Sequence, residues 1–177
     1  MNKKMMYALV AVVVIIVVVV AVAGAYVLMN PGGGGGGGGG GGEEVLTVAN
    51  ATSLQYSVNF TAADGTTAIY KFSGKNLGTA DLILRVDIEG GDTDYIYILN
   101  AGNETAWANL DGTWTDLSST FAEQWNSWGT QWTGYVTHNP DWMTGDGDIT
   151  YTDSGNSITI YGITINPTLA DSLFTPA

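Results

Sequence analysis

The side chains that could catalyse a reaction are few, and they lie in sequence that favours turns. His138 is the only histidine, and no local spacing gives it the partners of a serine triad or of a histidine-built metal site. The densest acidic group flanks a predicted turn and consists of Asp87, Glu89, Asp92 and Asp94. Paired carboxylates can hydrolyse glycosidic bonds, but Asp is also expected beside Gly in a turn for backbone reasons. The sequence therefore predicts a protein that is not an enzyme.

A second acidic group could bind calcium through its carboxylate oxygens. Its members surround Gly145 and Gly147, which permit a tight loop, and are Asp141, Asp146, Asp148 and Asp153. Their spacing matches no EF-hand, and turn formation explains the same residues. A calcium-dependent surface domain stays an open alternative, while no cofactor and no metal ligand is predicted.

Tryptophan is concentrated in one part of the chain. All six tryptophans lie within 36 consecutive residues: Trp107, Trp114, Trp125, Trp128, Trp132 and Trp142. In one interpretation they form a core under a sheet. In the other, their rings line a cavity or groove for an apolar, sugar or lipid ligand, because tryptophan joins a large apolar face to one N–H donor. The residues predicted to contact such a ligand are Trp114, Phe121, Trp125, Trp128 and Trp132.

A helix is predicted to position most of these rings. The aromatic residues recur at spacings of four, three, four and three, which places them on one helical stripe. They are Phe121, Trp125, Trp128, Trp132 and Tyr135. Thr120 and Glu123 fit a capping box at the start of this helix. Gly129 and Gly134 lower its intrinsic stability, so tertiary contacts must hold it in place.

Alternating apolar and polar residues predict eight strands around this helix. The strands are 54–61, 68–73, 82–89, 95–100, 105–110, 113–117, 148–152 and 157–166. Their short connections require antiparallel pairing, and short helical segments are predicted at 43–51 and 167–174. The predicted fold class is α+β, with a curved, half-barrel-like antiparallel sheet covered by the aromatic-striped helix.

The first 30 residues predict a transmembrane anchor. No residue from Met5 to Met29 is charged, and the apolar run 8–28 would be about 31 Å long as a helix, which spans the hydrocarbon core. Lys3 and Lys4 precede this run and acidic residues follow it. The positive-inside rule then predicts a single-pass protein of the cell membrane with a cytoplasmic N-terminus and an extracytoplasmic domain. Residues 5–29 are thus predicted to have the membrane as their partner.

Two other interpretations of the N-terminal segment stay open. Ala23-Gly24-Ala25 could be the cleavage site of a secretory signal. Lysines before a long apolar helix also mark pilin leaders, although Met5 stands where those leaders have a small residue. A cleaved signal, like a retained anchor, would export the remainder of the chain.

Residues 31–42 predict a flexible tether, and residues 43–177 the exported domain. Gly32 to Gly42 is an unbroken run of glycine, which is costly to order because glycine has wide freedom in φ. As a coil it has a root-mean-square span of roughly 18 Å. The domain can then stand clear of the lipid headgroups.

The domain at 43–177 is strongly acidic. It holds all 17 acidic residues of the chain against three basic ones, Lys71, Lys75 and Arg85, a net charge of −14. Such a surface repels phosphates, so nucleic acid is excluded as a partner. The chain has no cysteine, which excludes disulfides and thiolate chemistry. Three sequons predict glycosylation of an exported surface, at Asn50, Asn59 and Asn103.

The order of elements resembles the bacterial outer-membrane lipoprotein carrier superfamily. The matching segments are 45–53 leading into Leu54-Gln55-Tyr56-Ser57-Val58, the hairpin with Trp107 and Gly112-Thr113-Trp114, and the closing residues 165–174. The resemblance implies a half-barrel sheet wrapped over helices, with a hydrophobic cavity that accepts acyl chains. It carries no lipid-binding residue over to this chain. The tethered N-terminus departs from the soluble carriers, since a fixed domain cannot shuttle between membranes.

These observations predict a membrane-tethered extracytoplasmic binding module for a hydrophobic or lipid-like ligand, with no enzymatic activity. The alternative is a structural or adhesive cell-surface protein, either a pilin-like subunit or an envelope component, in which the tryptophans are core only.

Overall fold

A computed structural model of the chain describes residues 46–90 and 94–177. The predicted anchor at 1–30, the tether at 31–42 and the first residues of the domain lie outside the described residues. In the part that is described, no helix is both long and apolar enough to cross a membrane. Thr47–Ala177 forms one compact unit.

The unit is built on one antiparallel sheet of eight strands, which confirms the α+β prediction. The strands are β1 (Ser53–Thr61), β2 (Thr67–Lys75), β3 (Ile83–Glu89), β4 (Tyr95–Asn100), β5 (Thr105–Leu110), β6 (Thr113–Asp116), β7 (Ile149–Asp153) and β8 (Asn156–Ile165). Their order across the sheet is β6-β5-β4-β3-β2-β1-β8-β7. The first six strands form a meander, and the last hairpin returns to pair with β1. The sheet is therefore open, with β6 and β7 at its edges.

One helical segment connects β6 to β7. It consists of an α-helical turn at Phe121–Gln124, a π-helical turn at Trp125–Gly129 and an α-helix at Thr130–His138, which together we call α1. Three 3₁₀ turns complete the secondary structure of the described residues, at Val48–Asn50, Ser118–Thr120 and Asp171–Phe174. The segments predicted as helical at 43–51 and 167–174 are thus 3₁₀ turns in their described parts.

The predicted capping box at the start of α1 is wrong. Thr120 makes no side-chain cap hydrogen bond, and its hydroxyl instead donates to the carbonyl of Leu117 at 3.1 Å. The 3₁₀ turn explains the difference, because it holds Thr120 at φ −117° and ψ 25°, whereas a capping residue has an extended backbone.

Side-by-side residues of β1–β4 form an apolar face, which we call the inner face. One row consists of Tyr56, Phe72, Val86 and Tyr97. The neighbouring row consists of Leu54, Gly74, Leu84 and Leu99. Directly opposed residues in an antiparallel sheet point to the same side, and all these side chains are buried. The alternation predicted for β1 and β3 is therefore confirmed.

A β-bulge interrupts β8 beside this face. Two residues of β8, Gly162 and Ile163, oppose Tyr56 of β1. Gly162 has φ +65°, a conformation that glycine adopts without steric cost. The extra residue shifts the alternation so that Ile160 and Ile163 are both buried. A bulge of this kind bends its strand and increases the local twist.

The C-terminal turn packs on the opposite face of the sheet, which we call the outer face. Arg85 Nη1–H donates to the carbonyl of Leu173 at 2.8 Å. The ammonium of Lys75 lies 4.9 Å from the centre of the buried Phe174 ring, within the range of a cation–π contact. The turn Asp171–Phe174 thus covers part of the outer face.

Candidate functional site

Trp128 of α1 packs on the inner face. Its indole lies 4.9 Å from the ring of Tyr97 and 6.2 Å from that of Tyr70, measured between ring centroids. Only 1% of Trp128 is exposed. The π-helical turn that carries this residue is thereby held against three strands, since Tyr70 lies on β2, Tyr97 on β4 and β3 runs between them.

Trp132 fits into the space left by a glycine. A Cβ atom placed on Gly74 would lie 2.6 Å from Cη2 and 2.7 Å from Cζ2 of Trp132, closer than real atoms approach. The ring of Trp132 also lies 5.3 Å from that of Tyr56 and is stacked with it. Gly74 is therefore the residue of the inner face that admits the indole.

Tyr56 is the centre of the ring contacts. It stacks on Phe72 at 5.1 Å, meets Tyr135 edge-on at 6.0 Å and lies 6.0 Å from Trp142 at an inclination of 58°. Together with the residues above, these rings form what we call the aromatic cluster: Tyr56, Tyr70, Phe72, Tyr97, Trp128, Trp132, Tyr135 and Trp142. It joins the sheet, α1 and the loop that follows α1.

Two polar atoms in the cluster have no hydrogen-bond partner among the described residues. They are the hydroxyl oxygen of Tyr56 and Nε1 of Trp142. Tyr56 is 2% exposed and Trp142 4% exposed, so bulk water does not reach them freely. A buried polar group left without a partner costs about 1–3 kcal/mol, and such groups call for an explanation.

The loop carrying Trp142 is fixed by the start of the compact unit. The Val48 N–H donates to the Trp142 carbonyl, and the Ala49 N–H donates to the Pro140 carbonyl, each at 3.0 Å. The Trp142 N–H itself donates to the carbonyl of Asn139 at 3.3 Å. These bonds hold Trp142 over the inner face although it lies in a loop.

Burial keeps the tyrosine hydroxyls of the cluster protonated. It raises the pKa of Tyr56 well above its usual value, raises the pKa of Tyr70 to about 12, and raises the pKa values of Tyr97 and Tyr135. Tyrosine hydroxyls are already neutral donors at physiological pH, and burial keeps these four neutral further into the alkaline range.

We expect the domain to unfold in alkali as these tyrosines ionise. The folded-state pKa values lie above the ordinary value of 10.0, so the folded protein holds these protons more tightly than the unfolded chain does. Their contribution to stability is complete below pH 10 and is lost as the pH rises towards the folded-state values. Tyrosinate absorbance and far-ultraviolet circular dichroism should change together in a pH titration. Ionisation of all seven tyrosines of residues 43–177 near pH 10 in a domain that stays folded would contradict this expectation.

Phe121 and Trp125 lie apart from the centre of the cluster. Their rings contact each other at 5.6 Å at the start of α1, and both residues are half-buried. The indole of Trp125 covers Gly129, where an added Cβ would lie 2.7 Å from Cε2 of that ring. The π-helical turn thus packs on itself at this end.

Trp114 lies on the outer face. Its partner across the hairpin is Asn109, which in turn opposes Ile96 of β4, and these positions alternate with those of Tyr97 and the inner face. The five residues predicted to contact a ligand therefore occupy three places. Trp128 and Trp132 are in the cluster, Phe121 and Trp125 are at the start of α1, and Trp114 is on the far side of the sheet.

The unpartnered groups of Tyr56 and Trp142 were not among the predicted ligand contacts. In the sequence Tyr56 is one apolar position in an alternating strand, and Trp142 follows the helix in a loop. The only available signal was that both residues carry a polar atom on a large apolar ring.

The acidic groups form ion pairs or turns. The Arg85 Nε–H donates to Asp87 Oδ2 at 2.9 Å, Lys71 pairs with Glu89, and Asp92 lies outside the described residues. Within 46–90 and 94–177, apart from the side chains of His138 and Asp153, no three carboxylate or imidazole side chains lie close enough together to hold a metal ion. In the second acidic group, Asp146 accepts a hydrogen bond from the Met143 N–H at 2.7 Å, which closes a turn.

The three sequon asparagines are exposed. Asn59 lies in the middle of β1, Asn50 ends the first 3₁₀ turn, and Asn103 lies in the turn after β4. The Asn103 side-chain carbonyl accepts a hydrogen bond from the hydroxyl of Thr105 at 2.7 Å. Each site is accessible, and glycosylation stays a prediction.

A surface groove of about 390 Å³ lies at the end of β2, away from the cluster. It is lined in part by Ser53, Lys75, Leu77 and Pro167. The Lys75 ammonium is already paired with Asp171, so the one cation of the groove is neutralised. The groove supplies little that would select a ligand.

Comparison of the chain with family models, curated proteins and solved structures gives no match. The class of protein is therefore assigned from the fold and the candidate site alone. The described part is an α+β domain with an open, curved, eight-stranded antiparallel sheet, and its inner face and one helix enclose an aromatic cluster with two unpartnered polar groups.

Proposed function

We propose that this protein is a membrane-tethered extracytoplasmic binding module that holds a hydrophobic, lipid-like ligand between the inner face and α1, without catalysing a reaction. One observation carries the proposal: a single helix of low intrinsic stability covers the apolar inner face. Opening of that helix would uncover a site lined by aromatic and aliphatic side chains.

The local structure of α1 favours opening. Trp125–Gly129 is a π-helical turn, which is less favourable than α-helix and is frequent at functional sites. Thr120 provides no side-chain cap, and Gly134 lowers helix propensity by about 1 kcal/mol relative to alanine. The aromatic contacts must therefore supply most of the stability of α1, and a ligand with an apolar body can replace such contacts.

The sheet does not depend on α1 for its own pairing. Every strand is joined to its neighbour by an antiparallel ladder, interrupted only by the bulge between β1 and β8, and the outer face is supported by the C-terminal turn. The sheet can thus keep its curvature while the helix moves. An open, curved sheet covered by one helix, and the resemblance to the outer-membrane lipoprotein carrier superfamily, both support an acyl-chain ligand.

A membrane anchor at 1–30 and a tether at 31–42, as the sequence predicts, would keep such a site near the extracytoplasmic face of the membrane. A span of roughly 18 Å would keep the domain within reach of lipids, while its net charge of −14 from residue 43 onwards would keep it from lying flat on anionic headgroups. The proposed ligand source is therefore the adjacent leaflet.

The test is native mass spectrometry of residues 43–177, which include the whole compact unit Thr47–Ala177, purified without detergent and incubated with a total lipid extract of the expression host. We expect an adduct of lipid mass that chloroform–methanol extraction removes. Trp128→Phe, which shortens a ring in the cluster, should lower the intensity of the adduct peak. Trp114→Phe, on the outer face, should leave that intensity unchanged. A wild-type protein that carries no adduct after incubation would count against the proposal.

The close packing of the cluster favours a second candidate, a structural or adhesive surface domain without a ligand. Trp128 and Trp132 are 1% and 3% exposed, as expected for core residues. In that case the mass spectrum shows protein alone, and the aromatic residues act only in stability.

A further inference from the structure

We infer that the ligand is an uncharged apolar molecule with a hydrogen-bond-accepting oxygen, such as an ester carbonyl, and that Tyr56 and Trp142 donate their hydrogen bonds to it. This inference rests on the proposed function and names the chemical class that the same site takes.

The two unpartnered groups determine whether the ligand atom beside them donates or accepts hydrogen bonds. The indole Nε1–H is a donor only, and the tyrosine hydroxyl can donate while it stays protonated. A group that serves both donors must be an acceptor. The two rings are direct neighbours, with centroids 6.0 Å apart, so both donors belong to one part of the cluster.

The surroundings determine the charge of the ligand. Among the described residues, none that is buried carries a charge. Lys71, Lys75 and Arg85 lie on the outer face, where each pairs with a carboxylate. A carboxylate or phosphate beside Tyr56 would thus be buried without a counter-ion, which is strongly unfavourable. A carbonyl oxygen accepts the same hydrogen bonds without that cost.

The position of the pair indicates where the oxygen lies. Tyr56 is opposite the bulge at Gly162 and Ile163, and Trp142 is on the loop fixed by Val48. The acceptor would therefore sit at the β1–β8 side of the inner face. The apolar body would extend from there towards Trp132 and Trp128.

The experiment compares three probes of equal chain length, namely decane, methyl decanoate and decanoate, titrated into residues 43–177 and followed by tryptophan fluorescence. We expect methyl decanoate to bind at least about tenfold more tightly than either of the others, as two added hydrogen bonds allow. Tyr56→Phe should weaken the binding of methyl decanoate about fivefold and leave that of decane unchanged. Trp142→Phe, which also shortens a ring of the cluster, should weaken the binding of methyl decanoate more than that of decane. Tyr161→Phe removes a tyrosine hydroxyl from the outer face, where Tyr161 opposes Ser57, and is the matched control; it should leave all three affinities within about twofold.

Thermal unfolding without probe separates loss of binding from loss of folding. Tyr56→Phe removes an unpartnered hydroxyl, so its Tm should equal or exceed that of the wild type. A lower Tm with unchanged probe affinities would mean that a buried water satisfies the hydroxyl, and the inference would be wrong. Equal affinity for all three probes would also overturn it while leaving the proposed function intact. Binding of none of them would overturn both.

Discussion

Replacement of Trp128 by alanine is expected to lower the free energy of unfolding by about 3–5 kcal/mol, the usual cost of deleting a buried aromatic side chain. Trp128 is 1% exposed and contacts Tyr70 and Tyr97, so its loss leaves a cavity between α1 and three strands. Urea denaturation of residues 43–177, followed by circular dichroism, measures the change.

Trp114→Ala is the matched control for this substitution. Trp114 is half-buried and lies on the outer face, so its removal should cost roughly 1 kcal/mol. Equal losses for the two variants would mean that Trp128 contributes no more packing than a surface tryptophan. The assignment of the cluster as the main contact between helix and sheet would then be wrong.

Gly74→Ala is expected to destabilise the domain by about 1–3 kcal/mol, the typical cost of an extra methyl group in a packed core. The new Cβ would lie 2.6 Å from the indole of Trp132 and 3.2 Å from Leu84. Trp132 is enclosed by Tyr56 and Phe72, so it cannot simply rotate away. The same denaturation measurement detects the loss.

The double variant Gly74→Ala with Trp132→Phe tests the cause. A phenyl ring is shorter than an indole and leaves room for the added methyl group, so the double variant should lose less stability than the two single variants together. Additive losses would show that the two positions do not interact, and the cost of Gly74→Ala would then have to arise elsewhere in β2.

The strands were predictable because the two faces of the sheet differ so clearly in polarity. In β1, Leu54, Tyr56, Val58 and Phe60 are all buried, as their alternation indicates. The bulge was missed although the sequence contains its signal. In β8 the buried isoleucines Ile158 and Ile160 are two residues apart, but Ile163 follows after three, so the alternation shifts by one residue. The shift falls at Gly162, which has a positive φ.

The position of the last hairpin was not predictable from local pattern. Pairing of β8 with β1 joins segments about 100 residues apart, and no periodicity within either strand specifies that partner. The face on which Trp114 lies was equally hidden, because β6 has four residues and its register with β5 decides the orientation.

The candidate site was predictable only as an aromatic stripe. Spacing placed Trp128, Trp132 and Tyr135 on one side of a helix, and all three are buried. Spacing carries no information on hydrogen-bond partners, so the unpartnered atoms of Tyr56 and Trp142 emerged only from the packed structure. Hydrogen-bond satisfaction depends on residues distant in sequence, here on β1 and on the loop after α1.

The hydrogen bonds that fix Trp142 also give the domain a response to mechanical force. A pull on the chain at Thr47 would first load the bonds from Val48 and Ala49 to the carbonyls of Trp142 and Pro140. Behind them lies β1, which is flanked by β2 and β8, so a pull along the axis of β1 would load both ladders in shear. Tension would therefore release the Trp142 loop well before the sheet ruptures.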